Sequence, residues 1–172
     1  PIIAKIASEE IKIISLTITE GGYKVDFNQS RSVFWYVAEG LKRRMEKDLP
    51  ITILSCDNMQ MNGNAARCAF MSYFEAKYPE VAVTFPNSMV DRITPVTKPG
   101  KVTDVCCEDF IQWVIEDNFI AGRPAWEKVG VTFTHDVTPY EIMKLSLLNA
   151  SHTLLSYPAY MEGFRKVDAV MA

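Results

Sequence analysis

A chain of 172 residues with 48% hydrophobic and 23% charged residues has the balance of an ordinary soluble globular protein, one domain or a piece of a larger one. Its formal net charge of -3 gives no basic footprint for nucleic acid, and no run of about 18 apolar residues marks a membrane span. The start, Pro-Ile-Ile-Ala-Lys, has no basic region ahead of an apolar core, so no signal peptide is read there and the expected location is cytoplasmic.

Residues 11–19 (IKIISLTIT) are rich in strand formers and partly alternate, until Glu20, Gly21 and Gly22 break the pattern. Residues 32–47 read as a helix. Ser32 suits its N-cap, Val33, Phe34, Val37 and Leu41 form an apolar face, and Lys42, Arg43, Arg44 and Lys47 load its C-terminal half. Residues 51–55 (ITILS) fit a buried strand, with Cys56, Asp57 and Asn58 at its C-terminal edge. Residues 64–78 read as a second helix and 81–85 as a third strand. That β-α-β-α-β order predicts an α/β region with a parallel sheet, in which ligands gather at the C-terminal ends of the strands. Asp57 and Asn58 stand at one such end, and Asn87 and Asp91 just after another.

Beyond Pro99 the character changes. Residues 110–119 are expected to be helical, Gly122 to Pro124 a turn, and 129–133 a strand or an extended connection. Pro139 suits the first turn of a helix running from Tyr140 towards Tyr157, where Pro158 bends or ends it. The expected division is therefore 1–99 for the α/β part and 100–172 for the start of a mainly helical part. Neither GxGxxG nor GxxxxGK[ST] occurs, so a nucleotide-binding first βα turn, if the protein has one, lies outside this sequence. Cys56, Cys68, Cys106 and Cys107 have no CxxC spacing and are expected as reduced, partly buried thiols.

The candidate chemistry centres on Lys144, Asn149 and His152. On a regular α-helix Asn149 lies about 140° around from Lys144 and His152 about 80°, so all three can line one cavity. An apolar setting strips a lysine of hydration and favours the neutral amine, which can accept a proton. The bland alternative is a snorkelling surface lysine, and a Schiff-base lysine is a third. Asn149 is either an amide donor to a developing alkoxide or an exposed helix asparagine. His152 is either substrate-facing or a core histidine, while His135 reads as exposed. Glu141, one turn before Lys144, can pair with it, relay protons or favour the helix N-terminus. Turn chemistry and capping account for most of the Asp57, Asn58, Asn62 and Asn64 cluster. Asp91 and Arg92 read by default as a surface ion pair.

Several blocks together carry a resemblance: LTITEGGY at 16–23, SCDNMQMNG at 55–63, FPNSMVDRITP at 85–95, CEDFIQWVIEDNF at 107–119, GRPAWEKVGV at 122–131 and DVTPYEIMKLSLLNASHTLL at 136–155. The chain resembles the polyol-specific long-chain dehydrogenases, the group of mannitol 2-dehydrogenase and fructuronate reductase, with FPNSMVDRITP nearer the mannitol branch. The resemblance implies an N-terminal Rossmann-like nucleotide-binding domain, here partial, and a helical substrate domain. It implies an NAD- or NADP-dependent, metal-independent oxidoreductase of polyols and ketoses, D-mannitol and D-fructose first, the alternatives being fructuronate reduction or an inactive fragment or interaction module. From charge and hydropathy no nucleic-acid or membrane partner is expected, and the oligomeric state stays open. By the same motifs Lys144 would be the general base, Asn149 and Asn58 would polarise the reacting oxygen, His152 would orient substrate and Asp91 would contact polyol hydroxyls. Asp57 and Asn58 would border the cofactor. The stretches 23–31, 79–83 and 99–106 look shorter than the family's connections, so the sequence is expected to join segments of a longer protein.

Overall fold

A computed structural model describes residues 1–74, 82–92 and 105–171. These form two compact units, Pro1–Val137 and Thr138–Ala172. The boundary expected at 99/100 lies outside the described residues.

The first unit opens with a short helix α1 (Ile2–Ile6), strand β1 (Ile13–Leu16) and a 3-10 turn over Glu20–Tyr23. Helix α2 (Val33–Met45) comes next, capped as expected by Ser32, whose hydroxyl accepts the N–H of Trp35 at 3.2 Å. Strand β2 (Ile51–Ser55) has the expected bounds, and helix α3 (Asn62–Phe74) starts two residues earlier than expected. Strand β3 (Val83–Thr84) completes a sheet ordered β1-β2-β3, parallel throughout. Residues 75–78 and Val81 of the expected second helix and third strand lie outside the described residues.

All five residues of β2 are buried, because the strand is covered on both faces. Ile51 and Ile53 join Phe34, Leu41, Phe70 and Phe74 in the larger core, beneath α2 and α3. Leu54, pointing the other way, packs with Ile115 and Val131 in a smaller one. Arg44 was expected at the charged end of α2, but its side chain turns inward. It is 2% exposed and donates to the carbonyls of Ile6, Ser8, Leu49 and Pro50 at 2.6–3.1 Å. One guanidinium thereby ties α1, α2 and the approach to β2.

Residues 110–119 are a correction. They contain strand β5 (Gln112–Glu116), antiparallel to β4 (Ser88–Asp91) and parallel to β6 (Thr132–Thr134). The Trp-Val-Ile run prefers a pleated surface, and a short apolar run cannot by periodicity alone separate strand from helix. Trp113 stacks on Trp126 with ring centroids 5.4 Å apart, and Arg123 lies 3.4 Å over Phe133 while bonding Asp117 and Glu127.

The second unit contains α4 (Thr138–Met143), a π-helical stretch over Lys144–Asn149, α5 (Ala150–Met161) and α6 (Val167–Met171). Pro139 falls in the first turn of α4, as expected, whereas Pro158 sits inside α5 without ending it. No described helix is long and apolar enough to cross a membrane.

Candidate active site

At the C-terminal ends of β1 and β2 one carboxylate organises the backbone. Asp57, 8% exposed, accepts the N–H of Ile18 at 3.1 Å and of Thr19 at 2.8 Å, and the Tyr23 hydroxyl at 2.5 Å. Ser55 Oγ lies 2.6 Å from the same hydroxyl. Burial, then the Asp57 bond, pushes the Tyr23 phenol well above its usual range, so it stays a neutral donor. Thr19 has φ 63° and ψ 166°, a region nearly reserved for glycine. Burial, helped by the Asp57 charge, raises the Cys56 thiol to about 11. Cys56 is half-buried, but Cys68, Cys106 and Cys107 are exposed, which corrects the expectation of partly buried thiols; all four are free. Asn58, the next residue after Asp57, is exposed.

Sequence reasoning dismissed Asn62 as turn or cap chemistry. Its side chain is fully buried and spans three segments, donating to the carbonyls of Ser55, Asp57 and Ser88 and accepting from the Ser88 N–H. A second asparagine links α3 to the second sheet. Asn87 donates its N–H and side-chain amide to Glu116 at 2.9–3.1 Å, and its Oδ1 accepts the Asn64 N–H at 3.0 Å. These groups carried one weak signal in the sequence: several asparagines next to strand ends. Asp91 is half-buried at the end of β4, opposite Gln112, and the neighbouring Arg92 donates Nε to the Glu108 carbonyl at 3.1 Å.

In the second unit Lys144 is 9% exposed and Glu141 is 4% exposed, so Lys144 is no snorkelling surface lysine. The π-helical stretch begins at Lys144 and ends at Asn149. On a regular π turn of about 4.4 residues, positions five apart stand about 50° from each other, against the 140° of an α-helix. Asn149 is half-buried. His152 is exposed and stands on the wall of a cavity of about 230 Å³ with Leu155, Tyr160 and Phe164. His135 is exposed, as expected.

Two family models match this chain: the mannitol dehydrogenase Rossmann domain over residues 1–128 and the mannitol dehydrogenase C-terminal domain over 136–172. The chain belongs to the mannitol dehydrogenase family. Mannitol 2-dehydrogenase of Aspergillus fumigatus is 42% identical over 99% of this chain and 43% of its own length. D-mannonate oxidoreductase of Escherichia coli is 38% identical over 96% of this chain and 42% of its own. The Pseudomonas fluorescens mannitol 2-dehydrogenase ternary complex with NAD and D-mannitol superposes with a TM-score of 0.83 at 41% identity, covering 99% of this chain and 42% of that one. The chain thus spans less than half the length of the relatives it matches. The family's Rossmann part takes in β5, and its C-terminal part begins at residue 136, close to the division between the two units.

A dinucleotide would find a suitable edge in the first unit, since such folds bind ligands where parallel strands end. At that edge Asn58 is exposed, and the Asp57 carboxylate is turned into the protein by its bonds to Ile18, Thr19 and Tyr23.

Proposed function

We propose that the chain is part of an NAD- or NADP-dependent, metal-independent oxidoreductase that interconverts a polyol and a ketose, D-mannitol and D-fructose first among them. The observation that supports this reading is the buried Lys144 at the head of a π-helical stretch that ends at Asn149. The Lys144 amine accepts the proton of the substrate hydroxyl as general base. Asn149 and Asn58 donate to the oxygen as it gains negative charge, which is worth most in a site that excludes water. His152 hydrogen-bonds a neighbouring hydroxyl and Asp91 accepts from polyol hydroxyls, so the reacting carbon is held in one orientation. The nicotinamide, when bound, supplies the hydride acceptor. Asn58 is the residue of this chain assigned to border it.

The test is turnover of the full-length protein with D-fructose or D-mannitol and either cofactor. Lys144→Ala is expected to lose about 10²–10⁴-fold in kcat and to regain part of it with small external amines. Near-normal activity of that variant would reject the base role, and a borohydride-trapped ketose adduct on Lys144 would favour a Schiff base instead. A second reading, reduction of D-fructuronate to D-mannonate, is favoured by the likeness to D-mannonate oxidoreductase. Turnover of the uronate with none of D-fructose would establish it in place of the first.

A further inference from the structure

We infer that Asn62 is a positioning residue for Asn58; the inference rests on the role proposed above for Asn58. The Asn62 side chain is fully buried. Its amide nitrogen lies 3.2 Å from the Ser55 carbonyl, 3.1 Å from that of Asp57, 2.8 Å from that of Ser88 and 3.2 Å from Ser88 Oγ. Its oxygen accepts the Ser88 N–H at 2.9 Å, and Ser88 Oγ in turn donates to the Ser55 carbonyl at 2.5 Å. A helix cap would bond the amides of its own helix. Every one of these bonds leaves α3.

The target of the bond to Asp57 matters most. That carbonyl belongs to the peptide whose nitrogen is Asn58, so Asn62 fixes the plane from which the Asn58 side chain departs. The Ser88 bonds fix the start of β4, the strand that ends at Asp91. One buried amide therefore sets the origin of two segments that carry proposed substrate contacts. The seam has no slack. A Cβ added to Gly63 would stand 2.4 Å from the Pro86 carbonyl oxygen, and Met61 enters the helix at φ 51°. Loop 56–61 is short and exposed at Asn58; the Asn62 clasp holds its main chain at the Asp57 carbonyl, while Ile18, Thr19 and Tyr23 hold the Asp57 carboxylate.

The experiment is a double-mutant cycle on kcat in the full-length protein, with Asn58→Ala, Asn62→Ala and the pair. Asn62→Ala is expected to lower kcat by about 10-fold or more, with any rise in the KM for the cofactor no larger than that of Asn58→Ala. In the Asn58→Ala background the same change is expected to cost less than about 2-fold, because its effect is already spent. Hydrogen exchange of residues 57–61 should quicken while β2 and α3 stay protected. Additive losses would overturn the inference and leave the role of Asn58 standing. An Asn58→Ala variant with normal turnover would overturn that role and the inference with it. If Asn62→Ala does not fold, Asn62→Ser takes its place in the cycle. It keeps a small polar side chain but is too short to reach the Asp57 carbonyl, and additivity there would overturn the inference equally.

Discussion

Thr19 donates its backbone N–H to Asp57 Oδ1 at 2.8 Å while held at φ 63°. A β-branched residue in that region costs on the order of 1–3 kcal/mol, so the carboxylate and the neighbouring Ile18 and Tyr23 bonds over-determine the loop. Thr19→Gly is expected to raise stability by about 1 kcal/mol, the relieved strain exceeding the roughly 0.5–1 kcal/mol of added unfolded-state entropy. Asp57→Asn turns one acceptor into a donor facing a donor, and should lower stability by about 2 kcal/mol. Urea denaturation of both variants checks the pair. A destabilised Thr19→Gly would show that the threonine side chain, not the backbone bond, secures the turn.

Arg44 makes a separate case. Lysine at this position keeps the charge but offers three rotatable donors on one nitrogen in place of a planar fork. Four carbonyls on α1, the end of α2 and the entry to β2 cannot all be reached from that point. Arg44→Lys should cost about 2–4 kcal/mol, the range for losing one or two charge-assisted hydrogen bonds. The midpoint of denaturant unfolding reports it, and a change under about 0.5 kcal/mol would refute the rivet.

On the alkaline side the pH dependence of stability has two contributors of the same sign. Cys56 has its folded value raised from 9.0 to about 11 by burial, and Tyr23 is raised as well. Below pH 9 the thiol is protonated in both the folded and the unfolded chain, and nothing changes. Between about 9 and 11 the unfolded thiol ionises and the folded one does not, so the unfolded state binds fewer protons and stability falls as pH rises. The phenol adds a loss of the same sign above its ordinary value of 10.0. Cys56→Ala should flatten the first part of the decline. In thiol titration of the native protein, Cys56 should react more slowly than the exposed Cys68, Cys106 and Cys107.

The sheet was legible because ITILS is a continuous apolar run between turn signals, and it emerged as β2 with its expected bounds. Capping of α2 by Ser32 was legible for a local reason, the serine hydroxyl one residue ahead of an apolar face. β5 was not, since its Trp-Val-Ile core is short and is decided by cross-strand partners about 20 residues away. Asn62 was misread because an asparagine at a helix start looks the same whether it caps that helix or staples distant carbonyls. Asp57 was read as a ligand-facing acid, and only the fold reveals the inward partners of its carboxylate. The choice of Lys144 and Asn149 came from residue types, their spacing and the motif they stand in. Their angular relation did not, because periodicity at 100° per residue assumes an α-helix where the chain forms a π turn.

That π turn leads to a length prediction. A π-helical turn holds about one residue more than an α turn, so it absorbs an extra residue without rotating the helix beyond it. Removing Leu147, whose side chain is 64% exposed, should let the segment revert to α-helix. The lysine and asparagine would then be four apart and about 40° from each other, close to their present relation. Adding an alanine after Leu147 would instead put them six positions apart, about 130° from each other on the wide turn. In the full-length protein the deletion is expected to keep at least about a tenth of kcat, and the insertion to lose on the order of 10²-fold, as for removal of an oxyanion donor. Circular dichroism and thermal unfolding separate this from general damage. Equal losses in two folded variants would mean that the wide turn does not set the Lys144–Asn149 geometry on which turnover depends.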